Sequence, residues 1–472
     1  MATVNKKTKK SAVYAEEKLA GGYGPRAAKQ DAEATLRRLV MTCLLWEDNA
    51  YCDGQSVVDQ IKALVPQVPN VGNLAIEARF DQKLRHVPLM LVREMVRNKM
   101  PGVASTLAKV CKRPDEMMEF LAMYWADSKD KAGKRRMLPR QVKLGLAQAF
   151  TKFDEYQLAK YNQTDKAVKL RDVLFMCHAK PINDQEKNQA DLWKRLINNE
   201  LVVPDTWEVG MSAAKGEAGK RAVWERLIDT EKLPSFAFLK NLRNMQEVSV
   251  SRSHMAKAFE TCYPDMLLPI DFLKARKYAP DWTREIEALM YRCAASWPRL
   301  AGWTTLVIDV SGSMGSKVSD KSEFSRMDAA ASMAVLAAEC CDHVSVYATA
   351  GNDGTRVHKT AKVEALRGFA LADKVLQMSK SLGGGGIFTR QVCNYVREQE
   401  KEQPDRLLVF SDSQDCDAPG SGQPKPSGKR NYIIDVSSHS HGVNYKGVWT
   451  AEIAGWSEKF LKFVASMESN QQ

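Results

Sequence analysis

The sequence predicts two parts of different fold class, an all-α part built of helical repeats and then an α/β part built on a mostly parallel sheet. From Asp31 to about Met290, apolar residues follow a helical spacing that is interrupted by short breaks containing Gly or Pro. After Pro298, strand-like runs alternate with helical ones. Such alternation is typical of a parallel sheet covered by helices.

The helical part consists of amphipathic segments. Ala34–Trp46 places its apolar residues on one face, and Val87–Arg97 and Glu116–Trp125 repeat that spacing. Many such helices, joined by short breaks over most of the first 300 residues, predict a helical solenoid, although no strict internal repeat is visible.

Changes of composition predict three domains: a flexible basic arm at 1–20, a helical module at 21–297 and an α/β domain at 298–472. A Gly-rich break follows the arm, and the change to strand-like patterns begins near Pro298. The α/β domain is predicted to have strands at Leu306–Val310, Val344–Tyr347, Leu407–Phe410 and Tyr432–Ile434, with helices between them and a closing helix around Ala454–Val464.

Composition narrows the class of protein. The ten cysteines are scattered without a CxxC pair, which favours a reduced, intracellular and therefore cytoplasmic protein. No apolar run approaches the ~20 residues that span a bilayer, and the lysine-rich N-terminus is not a secretory signal. No membrane partner is expected.

The positive charge of the chain is uneven. The net charge is +12, yet residues 301–472 hold 19 basic and 20 acidic residues, so residues 1–300 hold the other 50 basic and 37 acidic ones. A polyanion such as nucleic acid is therefore a natural partner for the first part. A merely solvated basic surface explains the charge alone equally well.

Three loops of the α/β part offer oxygen atoms to one divalent cation. An apolar strand runs into Asp-Val-Ser-Gly-Ser, a second one runs into Ser-Asp, and a run of four glycines precedes Thr389 between them. Oxygen donors favour Mg²⁺, with Mn²⁺ and Ca²⁺ as alternatives. A loop that only caps a helix is the simpler explanation of the first motif. The predicted metal ligands are Asp309, Ser311, Ser313, Thr389 and Asp412.

These elements, in this order, resemble the metal-ion-dependent adhesion site of von Willebrand factor A domains, which have an α/β Rossmann-like fold. The resemblance implies direct ligation by Ser311 and Ser313, ligation by Thr389 and Asp412 directly or through water, and a water-mediated role for Asp309. An acidic side chain of a partner would complete the coordination. Related sites often read Gly-Gly-Thr, whereas Ile and Phe precede the threonine here.

The helical part resembles the TROVE module of the 60 kDa Ro autoantigen family, in a member of bacterial or phage type. Four segments carry the resemblance: Met137–Arg140, Leu170–Pro181, Leu233–Met245 and the weaker Leu268–Arg276. An A domain after a TROVE module is the architecture of that family. The resemblance implies a monomeric, closed ring of HEAT-like helical repeats. It also implies binding of small structured Y-like RNA and of single-stranded ends of defective RNA.

The resemblance also points to RNA-contacting residues. His178 matches a family histidine and Lys160 a family lysine, whereas a family arginine falls on Thr164. Without its motif, a histidine such as His178 would more often be a core or capping residue. Basic residues near these motifs are predicted to contact RNA as well, namely Lys134, Arg135, Arg136, Arg140, Lys143, Lys166, Arg171 and Lys180.

The favoured function is thus a non-catalytic scaffold in RNA quality control, with an exoribonuclease such as polynucleotide phosphorylase as a protein partner. No nucleophile–base pair stands out, since the adjacent Cys177 and His178 would diverge on a helix. One alternative is a metal-dependent protein-interaction scaffold with no specific RNA. A weaker one is a metal-dependent phosphatase or nuclease at Asp309 and Asp412.

Overall fold

The computed structural model describes two compact units, one formed by Gly54–Asp205 and one by Thr206–Gln472. The arm at 1–20, most of the predicted helix Ala34–Trp46, and Lys134 and Arg135 lie outside the described residues. The described residues are 54–80, 84–126, 136–162, 166–182, 188–263, 269–317, 323–412, 415–417, 422–436, 447–454 and 460–469, with 32–33, 36–37, 40 and 267.

All of the regular secondary structure described in the first unit is helical. The helices are α1 Gly54–Leu64, α2 Val71–Phe80, α3 His86–Arg97, α4 Val103–Val110, α5 Pro114–Ala126, α6 Arg140–Phe150, α7 Glu155–Tyr161, α8 Leu170–Cys177 and α9 Gln189–Asn198. Helix α4 lies against α6, α5 against α8, and α2 against both α3 and α4.

The contact between α4 and α6 depends on Gly145. A Cβ at this position would lie 2.8 Å from the carbonyl oxygen of Ala104 and 3.0 Å from the Cβ of Leu107. The two helix backbones therefore approach as closely as they do only because this residue has no side chain.

Buried carboxylates hold the helices of the first unit together. Glu116 on α5 accepts hydrogen bonds from the guanidinium of Arg79 on α2 at 2.5 Å and from the backbone N–H of Lys112 at 2.7 Å. One turn further on, Glu119 accepts from the ring of His86 at 3.1 Å and from Arg85 at 2.7 Å. These bonds satisfy charges that burial would otherwise penalise.

The second unit begins with six helices and continues with the sheet. The helices are α10 Trp207–Ala213, α11 Gly216–Asp229, α12 Ser235–Glu247, α13 Arg252–Thr261, α14 Pro269–Tyr278 and α15 Thr283–Ala295. After them come β1 Leu300–Asp309, α16 Arg326–Cys340, β2 Cys341–Asn352, β3 Val357–Lys362, α17 Gly368–Leu382, α18 Thr389–Gln399, β4 Arg406–Ser411, β5 Arg430–Asp435, β6 Ala451–Ala454 and α19 Phe460–Ser469.

Four helices end with the same backbone arrangement. At the end of α3, the N–H of Met100 donates to the carbonyl of Met95 and the N–H of Lys99 donates to Val96, which is a Schellman motif. The residue in the left-handed position, where glycine is usual, has a side chain in all four cases. These residues are Lys99, Asn199, Glu231 and Ser249, which end α3, α9, α11 and α12.

Helices that precede the sheet in sequence pack on the helices that cover it. The helices α14 and α15 contact α16, and α15 also contacts α17. Arg276 on α14 binds both carboxylate oxygens of Asp373 on α17, at 3.0 and 2.7 Å. The change from helix to strand falls between Ala295 and Leu300, near the predicted start of the A domain, but the compact unit that holds the sheet already begins at Thr206.

The sheet has the order β3-β2-β1-β4-β5-β6. Every neighbouring pair is parallel except β2 with β3. The register sets Ile308 of β1 beside Phe410 of β4, so the carboxyl ends of these two central strands lie together. Buried residues of β1, β2, β4 and β5 form a common core with the apolar face of α18.

Two parts of the sheet differ from the sequence prediction. The edge strands β3 and β6 were not predicted, and Ala454, the predicted start of the closing helix, is the last residue of β6. The closing helix α19 begins at Phe460. In β3, partly exposed residues occur on both faces, which removes the apolar alternation by which a strand is recognised.

Candidate functional site

The loop that follows β1 is held by the carboxylate of Asp309. Its Oδ1 accepts from the backbone N–H of Ser311 at 2.8 Å, and its Oδ2 accepts from the hydroxyl of Ser411 on β4 at 2.7 Å. The Ser311 and Ser313 Oγ atoms lie 3.1 Å apart. Burial, together with the charge of Asp412, raises the pKa of Asp309 to about 7. Two hydroxyl oxygens and a fixed carboxylate thus meet at the carboxyl end of the sheet.

The glycine run brings a second loop against this one. A Cβ on Gly312 would lie 2.5 Å from the carbonyl oxygen of Gly384. Gly383 and Gly384 have φ values of +100° and +70°, which favour glycine. The loop bonds to the end of β2 as well, where Gly385 donates to the carbonyl of Gly351 at 3.1 Å. The absence of side chains lets the loop that leads to Thr389 approach the serine loop.

Thr389 is positioned by two aspartates that the sequence prediction missed. Its backbone N–H donates to Asp415 at 3.1 Å, and the next N–H, of Arg390, donates to Asp417 at 2.6 Å. These are two of the N-terminal donors of α18 that have no partner inside the helix. The alternating Asp-Cys-Asp of 415–417 was the available sequence signal, since acidic residues commonly satisfy such donors.

The second predicted carboxylate has a cationic partner. Asp412 Oδ2 accepts a hydrogen bond at 3.0 Å from a guanidinium nitrogen of Arg326, the first residue of α16, and both side chains are buried. The sequence prediction did not include Arg326. The pair neutralises one of the two carboxylates of the site.

The donor set fits a divalent cation. The hydroxyl Oγ1 of Thr389 is buried and makes no hydrogen bond in the described structure, an arrangement that costs free energy unless a ligand binds there. Together with the two serine hydroxyls and the carboxylates of Asp309 and Asp412, it forms an oxygen-only set of the kind that Mg²⁺ prefers. Among the described residues, no group of three or more His, Cys, Asp or Glu side chains is placed to hold a metal.

Lys160, predicted to contact RNA, lies beside two aromatic rings. It is in the last turn of α7, where its ammonium nitrogen lies 5.8 Å from the centre of the Tyr156 ring and 5.9 Å from that of Tyr161. Tyr156 is 49% exposed. A cation and an exposed ring are thus available together at the surface.

Helix α8 presents a stripe of three exposed side chains, which we call the α8 stripe: Arg171, Phe175 and His178. Arg171 and Phe175, four residues apart, lie on one face of α8, and His178 follows the last residue of the helix. Phe175 is 56% exposed, and His178 ends the helix with φ +53°. His178 is therefore not a core residue. The sequence prediction missed Phe175, although its spacing from Arg171 and His178 was visible.

The remaining predicted RNA contacts differ in exposure. Arg136, Arg140 and Lys180 are exposed and Lys143 is partly exposed. Lys166 is only 9% exposed, so its ammonium group has little surface to offer to a phosphate. Of the described predicted contacts, it is the one that the structure favours least.

The thiol of Cys177, the residue before His178, is unreactive. Cys177 is buried, its Sγ donates to the carbonyl of Leu174 at 3.6 Å, and burial raises its pKa to about 11. The thiol is therefore protonated at neutral pH, which disfavours a nucleophilic role with His178.

These features define a protein that combines a helical-repeat part with an α/β domain built on a mostly parallel sheet, as predicted. Residues 41–200 and 198–276 match the TROVE domain, which is half of the chain. The chain belongs to the TROVE-domain family, the family of Ro-type RNA-binding proteins.

The fold is also similar to that of a solved structure, the crystal structure of the Deinococcus radiodurans Ro (RSR) protein. The TM-score is 0.62 with 16% sequence identity, and the match covers 92% of this chain and 99% of that one. Among curated proteins, none matches the sequence. Within the described residues, no helix is both long and apolar enough to cross a lipid bilayer.

Proposed function

We propose that the chain binds a small structured RNA of the Y type and the single-stranded ends of defective RNA, and that it acts as a scaffold in RNA quality control. Family membership supports the class of ligand. The α8 stripe is the observation that carries the proposal to particular residues. It supplies a guanidinium, an aromatic ring and an imidazole as exposed side chains of one short helix and its C-cap.

The chemistry of the α8 stripe suits RNA. The guanidinium of Arg171 can bind phosphate, and its Nε lies 3.9 Å from Asp172, too far for a hydrogen bond. The exposed ring of Phe175 offers a face on which an unpaired base can stack, which contributes about 1–3 kcal/mol per base. The pair of Lys160 with the exposed Tyr156 lies on a helix that packs on α5, as α8 does.

The test is equilibrium binding of the full chain to a hairpin RNA with a 3′ single-stranded tail, measured at several salt concentrations. The variants Arg171→Gln, Phe175→Ala and His178→Ala are expected to weaken binding about tenfold or more each. Arg171→Gln should also reduce the salt slope by about one. The matched controls Lys109→Gln and Val357→Ala remove an exposed charge and an exposed apolar side chain elsewhere.

Unchanged affinity in all three stripe variants would exclude the α8 stripe as the RNA contact. Absence of RNA binding by the native chain at low salt would exclude the proposed function itself. Comparison of the tailed hairpin with an untailed hairpin and with the single strand alone separates the two proposed ligands.

A second candidate function belongs to the α/β domain, in which Mg²⁺ would hold an acidic side chain of a protein partner. The buried hydroxyl of Thr389, which makes no hydrogen bond within the described residues, favours it. Calorimetric titration of the full chain with Mg²⁺ tests the first step. Ser311→Ala should abolish binding, whereas Ser316→Ala, an exposed serine nearby, should not. Equal heats for both variants would count against the metal site.

Three further expectations rest on the family resemblance and stay predictions: the closed ring, the monomeric state and an exoribonuclease partner such as polynucleotide phosphorylase. The cytoplasmic location, which was inferred from the scattered cysteines, also stays a prediction. Co-purification of the native protein, followed by sequencing of bound RNA and identification of bound protein, would test the exoribonuclease partner directly.

A further inference from the structure

The first compact unit contains a cavity of about 750 Å³. Its walls come from α1, from the turn between α3 and α4, from α5 and from the segment that leads into α6. The volume lies within the range of pockets that enclose small-molecule ligands.

The wall of this cavity is cationic. Lys62, Arg97, Lys99 and Arg136 line it, and no lining residue is acidic. Two of these charges are partly balanced by carboxylates that do not line the cavity. Lys62 pairs with Asp59 and Arg97 with Glu94, each at 3.1 Å. Lys99 and Arg136 are exposed, and neither pairs with a carboxylate of the described residues. An anionic ligand is therefore favoured.

The other part of the wall is apolar and aromatic. Met100 and Val103 lie at the turn between α3 and α4, and Tyr124 comes from α5. Burial raises the pKa of Tyr124 while the charges of Arg136 and Arg97 oppose that rise, so both guanidinium groups lie near the phenol. The cavity thus combines apolar side chains and a largely buried tyrosine with cations at its side.

The two unpaired cations are held by backbone interactions. The indole N–H of Trp125 donates to the carbonyl oxygen of Arg136 at 2.9 Å, which fixes the chain where it enters the cavity wall. Lys99 occupies the left-handed position of the Schellman motif that ends α3. Three other helices end in the same way, so the left-handed conformation does not distinguish Lys99. Its position in the cavity wall does.

We propose that this cavity binds one nucleotide unit, with the phosphate at Lys99 and Arg136 and the base against the apolar wall beside Tyr124. Cation–phosphate contacts give affinity that does not depend on base sequence, and burial of the base against apolar side chains adds to it. The nucleotide can come from the end of a single-stranded RNA or from a free mononucleotide. If the nucleotide is the end of a single-stranded RNA, the proposal rests on the proposed RNA-binding function and adds to it a site that binds one nucleotide.

The test uses the full chain with three probes: UMP, a 5′-phosphorylated single-stranded oligouridylate, and a blunt hairpin RNA without a tail. The cavity variant combines Lys99→Asn with Arg136→Gln, because asparagine tolerates a positive φ. The control variant combines Lys109→Gln with Lys220→Gln, which removes the same charge from exposed helix positions outside the cavity wall.

The cavity variant is expected to lose about tenfold or more in affinity for UMP, for the oligouridylate, or for both, relative to the control. Loss for the oligouridylate alone assigns the site to RNA ends, and loss for UMP assigns it to free nucleotide as well. A terminal 4-thiouridine on the oligouridylate should crosslink to the peptide that contains Met100 or the one that contains Tyr124.

The proposal would be overturned if the cavity and control variants bound UMP and the oligouridylate with equal affinities. It would also be overturned if the native chain bound neither of these two probes. Hairpin binding separates the two hypotheses. If the cavity variant keeps its hairpin affinity, the α8 stripe is intact whatever the outcome at the cavity. If no RNA binds to any variant, the proposed function fails, and the UMP measurement alone then decides whether the cavity binds a nucleotide.

Discussion

The guanidinium of Arg326 donates to the carboxylate of Asp412 at 3.0 Å, inside the α/β domain and at the candidate metal site. The two residues come from the start of α16 and from the end of β4. Because a buried charge without a partner is strongly unfavourable, this pair holds part of the charge balance that a bound cation would otherwise supply.

Replacement of Arg326 by methionine should therefore destabilise the protein by about 3–5 kcal/mol, since it leaves the buried Asp412 without that partner. Saturating Mg²⁺ should restore part of the loss, because the cation and the arginine balance the same carboxylate. Urea unfolding with Mg²⁺ or with EDTA measures both effects. The exposed Arg299, 3.1 Å from Asp342, serves as the control, and Arg299→Met should cost less than about 1 kcal/mol. Equal losses for the two variants would contradict the argument.

Thr389→Val should have opposite effects with and without the metal. Without a divalent cation it replaces a buried hydroxyl that makes no hydrogen bond by a methyl group of similar shape, so stability should be unchanged or slightly higher. With Mg²⁺ it removes a ligand, so the stabilisation by the ion should decrease. Thermal unfolding across a Mg²⁺ titration shows both. If Mg²⁺ stabilises native chain and variant equally, Thr389 is not a ligand.

Glu119 predicts a pH dependence in the first compact unit. Burial alone would raise its pKa, but the hydrogen bond with His86 and the charge of Arg85 hold it below the ordinary value of 4.5. A carboxyl with a depressed folded-state pKa stabilises above its unfolded pKa and loses that contribution as the pH falls through the folded value. Stability should therefore decline below about pH 4.5, and Glu119→Gln should weaken that decline and cost about 2 kcal/mol at pH 7.

The check for Glu119 is the free energy of unfolding measured from pH 7 down to pH 3. The exposed Glu402 provides the control, and Glu402→Gln should leave the profile as it is. A native profile without an acid decline would disprove the assignment, as would the same profile in both variants.

Gly145→Ala should destabilise although alanine is the better helix former. The new Cβ would lie 2.8 Å from the backbone carbonyl of Ala104, so α6 must move away from α4 at a cost of about 1–3 kcal/mol. Gly219 on α11 is the matched control, because its Cβ would meet nothing closer than 3.7 Å. Gly219→Ala should stabilise by about 1 kcal/mol or less. The same sign for both substitutions would refute the close-approach argument.

The sequence predicted those parts of the site that local chemistry determines. Asp309, Ser311 and Ser313 are neighbours in one loop, and the apolar strand before them places that loop at the end of a sheet. The pairing of Arg326 with Asp412 has no local signal, since the partners are 86 residues apart. Which distant charges meet is decided by packing of α16 against the sheet, and one sequence does not encode that in any short pattern.

The same distinction holds in the helical part. The helical spacing predicted α3 and α5 to within two residues at each end. It did not indicate that Phe175 is exposed, because an apolar residue on an amphipathic helix is normally assigned to the core. Exposure of that ring depends on which neighbouring helices cover α8, and this again is a property of the tertiary fold.

The side-chain-bearing residues that end four helices have a consequence for engineering. Lys99, Glu231 and Ser249 in the left-handed conformation each cost roughly 1 kcal/mol that glycine would not, and Asn199 costs less because asparagine tolerates a positive φ. Glycine at these positions should therefore raise the thermal stability of both compact units without any change to their hydrophobic cores. Three of the four positions lie outside the wall of the proposed nucleotide cavity, so a heat-resistant version of this protein can be sought there without altering its ligands: Asn199, Glu231 and Ser249.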